Sequence, residues 1–192
     1  HLGYILGPRI NAGGRIGDAA LGARLLTTDD ETEAQKIAVL LDELNKERKA
    51  IETQMLEEAF ADADRRVSET PDLPVVVVGS ETWHKGVVGL VASRLVERFG
   101  RPSCVIAWEK QAGSGAQTGT GSLRSVAGVD IGAAVRGAVS AGLLQKGGGH
   151  AMAAGLTVAR ERLGSVESYF ARELAHASSA ARARVGLEVD GA

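Results

Sequence analysis

Residues 29 to 70 contain neither proline nor glycine, and no other property of this 192-residue chain restricts its fold as strongly. Within that stretch Ile37, Leu41, Leu44, Ile51, Met55, Ala59 and Phe60 recur at intervals of three, four or their sums, with Lys, Arg and Glu between them. That is the spacing of one apolar stripe on an α-helix, and it predicts a single helix of about 38 residues, roughly 57 Å long. The segment Thr28-Asp29-Asp30-Glu31 has the form of a capping box opening at Thr28, with carboxylates where the positive end of a helix favours them. A helix longer than a small domain is wide, with one narrow apolar stripe, suits a strut joining two lobes. A coiled-coil dimer is the alternative, because the stripe is close to heptad spacing.

The same segment divides the charge. Net charge is -2, yet residues 29 to 72 hold 14 acidic against 6 basic side chains, which leaves 16 basic against 10 acidic elsewhere. An anionic ligand is therefore expected to meet the two ends of the sequence and avoid its middle. Hydrophobic residues at 44% and charged residues at 24% are globular usage, and a chain of this size buries a core without disulfides. The one cysteine, Cys104, lies in the apolar run Cys104-Val105-Ile106-Ala107-Trp108. It reads as a buried strand residue, which excludes a disulfide framework and fits a reducing compartment. No apolar stretch is long enough to cross a bilayer, and the first residues lack the pattern of a secretory signal. A soluble, cytoplasmic protein without a membrane partner is the expectation. The opening His1-Leu2-Gly3-Tyr4, with no initiator methionine, reads as a cut through a longer protein.

Around the strut, residues 5 to 17 read as glycine-rich and irregular, followed by a short helix from about Asp18 to Leu26. After Pro71 and Pro74, Val75-Val76-Val77-Val78-Gly79 has the β-branched purity of a buried parallel strand. Val87, Val88, Val91, Leu95 and Phe99 keep helical spacing up to a stop at Gly100 and Pro102, and residues 103 to 108 form a second apolar strand. Strand, helix and strand together make one right-handed crossover unit of an α/β sheet. Residues 110 to 128 read as a hairpin or loop, and a helix capped by Asp130 runs to about Ala141. Ala151 to Val158 reads as a central strand, Glu161 to Ala177 as a last helix, and the alternating tail Val185 to Asp190 as the first strand of a further domain.

Several polar groups are candidates for anion binding. Gly147, Gly148 and Gly149 in succession can turn consecutive amides toward one point, with His150 donating from the edge of that nest. The alternative is a tight turn into a strand with His150 as an ordinary edge residue. Ser122 and Arg124, two apart in an extended segment, share a face, so a hydroxyl and a bidentate guanidinium can reach one phosphate. A solvated arginine beside a small serine is the bland reading. Arg9, Asn11 and Arg15, held in the Gly/Pro-rich run Gly7 to Arg15, form a third group. In Trp83-His84-Lys85-Gly86, between strand and helix, the helix end favours an anion, Lys85 adds peripheral charge and Trp83 either stacks on a base or covers the sheet edge. His1, His84, His150 and His176 are scattered without carboxylates at ligand spacing, so no metal centre is expected within the chain. The run Gly113 to Gly121 matches neither the dinucleotide fingerprint nor the phosphate loop.

Four segments together resemble the RecJ family of DHH phosphoesterases. Gly7-Pro8-Arg9-Ile10-Asn11-Ala12-Gly13-Gly14-Arg15 is similar to the motif that closes its catalytic domain. Trp83 to Arg94, Gly121-Ser122-Leu123-Arg124-Ser125 and Gly147 to Gly155 are similar to the signatures of its DHH-associated domain. The resemblance implies an α/β fold, a DHH-associated domain with a central β-sheet flanked by helices and preceded by a long connecting helix. It implies the end of a DHH catalytic domain over 1–27, the connecting helix over 28–70, the substrate-binding domain over 71–178, and a linker with the start of a truncated domain over 179–192. The implied function is the substrate-binding part of a 5'-to-3' single-stranded DNA exonuclease of repair and recombination. Ser122 and Arg124, with Arg9 or Arg15, would hold a phosphate, the terminal 5'-phosphate first of all. His150 and the glycines before it would face the scissile phosphate, and Asn11 and His84 would join the substrate contacts. Mn2+ or Mg2+ would sit on the missing amino-terminal domain, since the Asp-His-His sequence that names the superfamily is absent here. The fragment would then bind no cofactor and be inactive alone. Its partners would be single-stranded DNA, the parent's DHH domain, and a single-strand binding protein or helicase. The rival readings are an oligonucleotide or cyclic-dinucleotide phosphodiesterase and a non-catalytic nucleic-acid-binding homologue.

Overall fold

In the computed structural model, which describes residues 2–111, 113 and 115–184, the stretch without proline or glycine is one helix of 39 residues, Glu31–Glu69, the fourth of the chain and named α4. Its cap lies two residues beyond the expected Thr28. The Asp30 carboxylate accepts from the amides of Thr32 at 2.8 Å and Glu33 at 3.2 Å, which are the second and third amides of the helix and the ones an N-cap must satisfy. Thr28 instead donates its hydroxyl to Glu33 Oε2 at 2.7 Å. The chain divides into two units, His1–Met55 and Leu56–Ala192, and α4 supplies residues to both.

In the first unit, the segment expected to be irregular is helical: α1 spans Leu2–Ile10 and α2 spans Ala12–Ile16, with α3 over Ala20–Thr27. Two of its glycines, Gly13 and Gly22, serve close approach rather than loop freedom. A Cβ on Gly13 would stand 2.6 Å from the Asp18 carbonyl oxygen, and one on Gly22 would stand 2.8 Å from that of Ile10. Tertiary packing here outweighs low helix propensity. Leu21 of α3 packs with Ile37 and Leu41 of α4, with Leu25 and Leu44 beside them, so the first part of the apolar stripe is covered by this chain itself.

The second unit is built on a five-stranded mixed sheet of order β1-β2-β3-β5-β4. The strands are β1 Val76–Ser80, β2 Ser103–Lys110, β3 Gln117–Arg124, β4 Lys146–His150 and β5 Ala153–Ala159. β1 and β2 run parallel, joined through α5, Val88–Phe99, as the crossover pattern predicts, and every other pairing is antiparallel. α6, Ile131–Ser140, begins at Asp130, whose side chain accepts from the Ala133 amide at 2.9 Å. After a 3-10 turn at Arg160–Arg162, α7 runs over Leu163–Ala183. The expected tail strand at 185–190 and the residues of the linker beyond 184 lie outside the described residues.

One face of the sheet holds the main core, where Val77, Cys104, Ile106, Trp108, Leu123, Leu156 and Val158 meet Val135 of α6 and Phe170 and Leu174 of α7. Cys104 is fully buried, which pushes its thiol up, far from thiolate chemistry. On the other face α5 covers β2 and β3 with Val88, Val91, Ala92 and Leu95 buried. The last turns of α4 lie beside α5, where Phe60 meets Phe99 edge to face at 6.4 Å and Arg98 pairs with Asp64 at 2.7 Å. Past α5, no helix of the described residues lies over the second face of β5 and β4.

Candidate nucleic-acid interface

Directly opposed residues in a β-ladder place their side chains on the same face, so the register assigns the uncovered face row by row. Arg124 lies opposite Ala153, and Ala153 opposite His150. Two residues along, Ser122 lies opposite Gly155 and Gly155 opposite Gly148. The next row is Thr120, Thr157 and Lys146. β3 alternates, with Gly119, Gly121 and Leu123 buried against the core and Thr118, Thr120, Ser122 and Arg124 half-buried on this side.

Ser122 and Arg124 meet as the extended spacing predicts. Arg124 Nη1 donates to Ser122 Oγ at 2.9 Å and to the Leu123 carbonyl at 2.8 Å. Above them lies Gly89 of α5, where a Cβ would stand 2.9 Å from Arg124 Nη2 and 3.2 Å from Ser122 Oγ. The helix thus comes down onto the pair because residue 89 has no side chain.

Gly147, Gly148 and Gly149 do not form the expected nest. They are strand residues of β4, and an extended strand turns successive amides to opposite sides instead of toward one point. Two of the three have packing reasons. A Cβ on Gly147 would meet Val135 Cγ1 at 2.7 Å, and one on Gly149 would meet the Ala153 carbonyl at 2.4 Å, on a φ of +149 that L side chains avoid. Gly148 and Gly155 have none: a Cβ on Gly148 would meet nothing within 4 Å, and one on Gly155 only the Gly121 carbonyl at 3.8 Å. Side by side on the uncovered face, they leave bare backbone flanked by Ser122, with Arg124 and His150 in the adjoining row.

His150 ends β4 and is exposed. Its strand end is clamped to α6: Arg136 Nη1 donates to the Gly149 carbonyl at 2.8 Å, the Ile131 amide donates to Ala151 O at 3.2 Å, and Gly132 admits the backbone of Gly149 and His150. His84 precedes α5, and its Nδ1 accepts from the Gly86 amide at 3.1 Å, leaving Nε2 to carry the proton of the neutral ring. Trp83 is not a stacking platform. It is buried, and its indole N–H donates to Glu58 of α4 at 2.7 Å. Lys85 pairs with Glu109 at 3.0 Å, a peripheral position as expected. At the far end of the sheet, Glu81 is held below the usual carboxylate range by the Gln117 amide and then by Lys110.

Arg9, Asn11 and Arg15 belong to the first unit. Arg9 lies on α1, donating to Asp42 of α4 and to the Ile5 carbonyl, both at 2.8 Å. The Asp42 carboxyl lies below its ordinary range because Lys46 and then Arg9 hydrogen-bond to it. Asn11 is exposed between α1 and α2, and Arg15 is half-buried near the end of α2. Reasoning from sequence missed Gly89, Thr120, Gly155, Thr157 and Lys146. The alternation Thr118, Thr120, Ser122, Arg124 was the available signal for the first strand of this face.

Among the described residues no three His, Cys, Asp or Glu side chains come together as a metal site. The donor set therefore does not fit a resident catalytic ion, and no reaction step can be drawn through one here. No described helix is long and apolar enough to cross a membrane.

The fold is thus an α/β domain, a mixed sheet flanked by helices on both faces, with a strip of glycine backbone left bare beside a Ser/Arg pair. The chain belongs to the DHHA1 domain family, which it matches over residues 72–176, and the match is to the DHHA1 domain of RecJ-type exonucleases of the DHH superfamily. It is 41% identical over 173 residues to the single-stranded-DNA-specific exonuclease RecJ of Dickeya dadantii, covering 88% of this chain and 29% of that protein. The Escherichia coli protein of the same name is 42% identical over 164 residues, 84% of this chain and 28% of the relative. The chain thus spans under a third of the length of these relatives. Among solved structures, an exonuclease RecJ bound to manganese superposes with a TM-score of 0.73 at 30% identity, over 96% of this chain and 42% of the other. Thermus thermophilus RecJ in complex with Mg2+ gives 0.70 at 34%, over 87% and 25%. A pGpG-specific phosphodiesterase from Vibrio cholerae, with a TM-score of 0.51 at 16% identity over 87% of this chain and 58% of the other, shares the fold.

Proposed function

We propose that this chain is the substrate-gripping part of a metal-dependent exonuclease that digests single-stranded DNA in the 5'-to-3' direction. The observation that carries this reading lies at the edge of α5: Ser122 and Arg124, half-buried beneath Gly89, are hydrogen-bonded to each other, and the bare backbone of Gly155 and Gly148 lies next to Ser122. Arg124 and Ser122 hold a phosphate, the 5'-terminal one first of all, through a guanidinium fork and a hydroxyl. Gly148 and Gly155 let the sugar-phosphate chain approach the sheet, a close approach that explains glycine where the fold itself does not demand it. His150, fixed by the clamp on its strand end, donates to the scissile phosphate. Arg9 or Arg15, with Asn11, adds to the grip on the strand, and His84 stands at the amino end of α5 as a further donor. A divalent ion, held by a DHH domain of the parent, would supply the hydrolytic chemistry, and this part contributes orientation and charge neutralisation.

The test is fluorescence anisotropy with the 192-residue chain and a labelled single strand carrying either a 5'-phosphate or a 5'-hydroxyl. The phosphorylated strand binds more tightly, and Arg124→Ala removes the difference; equal affinities in the unaltered chain would end the assignment. Incubated with manganese and labelled single strands, the chain releases no nucleotide. Release at enzyme-like rates would overturn the division of labour.

A further inference from the structure

We infer that the uncovered face carries a second phosphate subsite, formed by Thr120, Thr157 and Lys146, so that it grips two successive phosphates of a single strand. This rests on the reading that Ser122 and Arg124 hold one phosphate and extends it along the sheet. The register puts Thr120 opposite Thr157 and Thr157 opposite Lys146, on the same face as Ser122. One row therefore offers two hydroxyl donors and an ammonium group. The three residues, with Gly155, line one shallow cavity of about 270 Å³. Among the described residues Lys146 has no carboxylate partner, whereas Lys46, Lys85 and Lys110 each have one. Lys146 is exposed, and its charge is available to a ligand.

The spacing favours a polymer over a second independent anion. Two residues along a strand advance roughly 6.7 Å, which is close to the separation of neighbouring phosphates in an extended single strand. The backbone of Gly155 and Gly148 lies in the Ser122 row, next to the Thr120, Thr157 and Lys146 row, and leaves open space for the linking sugar. One row further, Thr118 lies opposite Glu109 of β2 and Ala159 of β5. That row brings a carboxylate and no added cation on β5, so the grip ends after two phosphates. The ligand is a single-stranded oligonucleotide with at least two consecutive phosphates, and a mononucleotide fills half of the site.

The experiment uses the 192-residue chain, a 5'-phosphorylated, fluorescently labelled hexathymidylate, and versions in which one of the first three linkages in turn is a neutral methylphosphonate. Lys146→Ala weakens binding of the all-phosphate strand by about fivefold at low salt and reduces the slope of log affinity against log salt by about 0.7. With the methylphosphonate at one of the three positions, Lys146→Ala has no further effect. Thr157→Val, which keeps the shape and removes the hydroxyl, weakens the same strand and is silent at the same position. Arg124→Ala weakens every probe. If Lys146→Ala weakens all probes alike, or none, the second subsite is wrong while the first stands. If Arg124→Ala leaves every probe unchanged, the anchoring phosphate site is wrong and the extension falls with it.

Discussion

Replacing Gly89 by alanine separates the proposed binding role of the Ser122–Arg124 pair from its role in the fold. The added Cβ stands 2.9 Å from Arg124 Nη2 and 3.2 Å from Ser122 Oγ, closer than real Cβ contacts allow. The obstacle is the end of a flexible side chain, so the guanidinium swings aside and the backbone stays. Forcing the arginine off its rotamer costs about 1 kcal/mol, and alanine in place of glycine near the start of a helix returns up to about 1 kcal/mol. The two offset each other, so the stability read from the urea midpoint falls only by what the half-buried Arg124–Ser122 bond contributes, about 1 kcal/mol. Binding does not escape so lightly: the displaced guanidinium loses the 2.9 Å bond that aligns it with Ser122 and with it a charge-assisted contact worth about 1.5 kcal/mol or more. The expected loss of affinity for a 5'-phosphorylated single strand is about tenfold. Urea denaturation and anisotropy on the same preparations measure both effects. In Gly89→Ala with Arg124→Ala the double variant binds no more weakly than Arg124→Ala alone, because both act on one group. Unchanged affinity in Gly89→Ala, or additive losses in the double variant, would refute the reasoning.

Gly132→Ala has the opposite character. Its Cβ would stand 2.8 Å from the Gly149 carbonyl and from the backbone of His150, which cannot swing away, so stability falls by about 1–3 kcal/mol and amide exchange in β4 accelerates; an unchanged urea midpoint would contradict this. Glu33→Gln tests the start of α4. The Glu33 carboxyl is held below its ordinary 4.5 by the Thr28 hydroxyl and then Arg24, so its contribution is complete above the unfolded value and fades as pH falls through the lowered folded value. The variant therefore has a slightly lower urea midpoint than the unaltered chain at neutral pH, and the two converge at acid pH; a gap that widens on acidification would reverse the assignment.

The elements read well from the sequence are those whose signal is local. α4 follows from an uninterrupted 3.6-residue rhythm, β1 and β2 from β-branched runs, and the start of α6 from an aspartate that caps it through the Ala133 amide. Apart from the cap displaced to Asp30 and the buried Trp83, the misreadings share one cause, which is glycine. In β3, Gly119 leaves room for Ile106 and Trp108, and Gly121 for Leu156, so glycines that suggest a loop are the condition for a strand crossed by large neighbours. Gly13 of α2 and Gly22 of α3 admit the backbone of Asp18 and Ile10, and in β4 the glycines lie in a ladder rather than a nest. A glycine states that no side chain fits, and only the neighbours say why.

The pairing of Ser122 with Arg124 was legible because strand geometry alone puts residues two apart on one face. The rest of the candidate site was not, because Gly148, Gly155, Thr157 and Lys146 come from strands distant in sequence and meet β3 only through register. Sequence by itself determined the long helix, the crossover unit and the pairing of Ser122 with Arg124, all set by interactions within a few residues. Tertiary structure decided which glycines pack and which lie bare, and which polar side chains share an uncovered face. Those questions depend on atoms brought together by the sheet, and no local pattern encodes them.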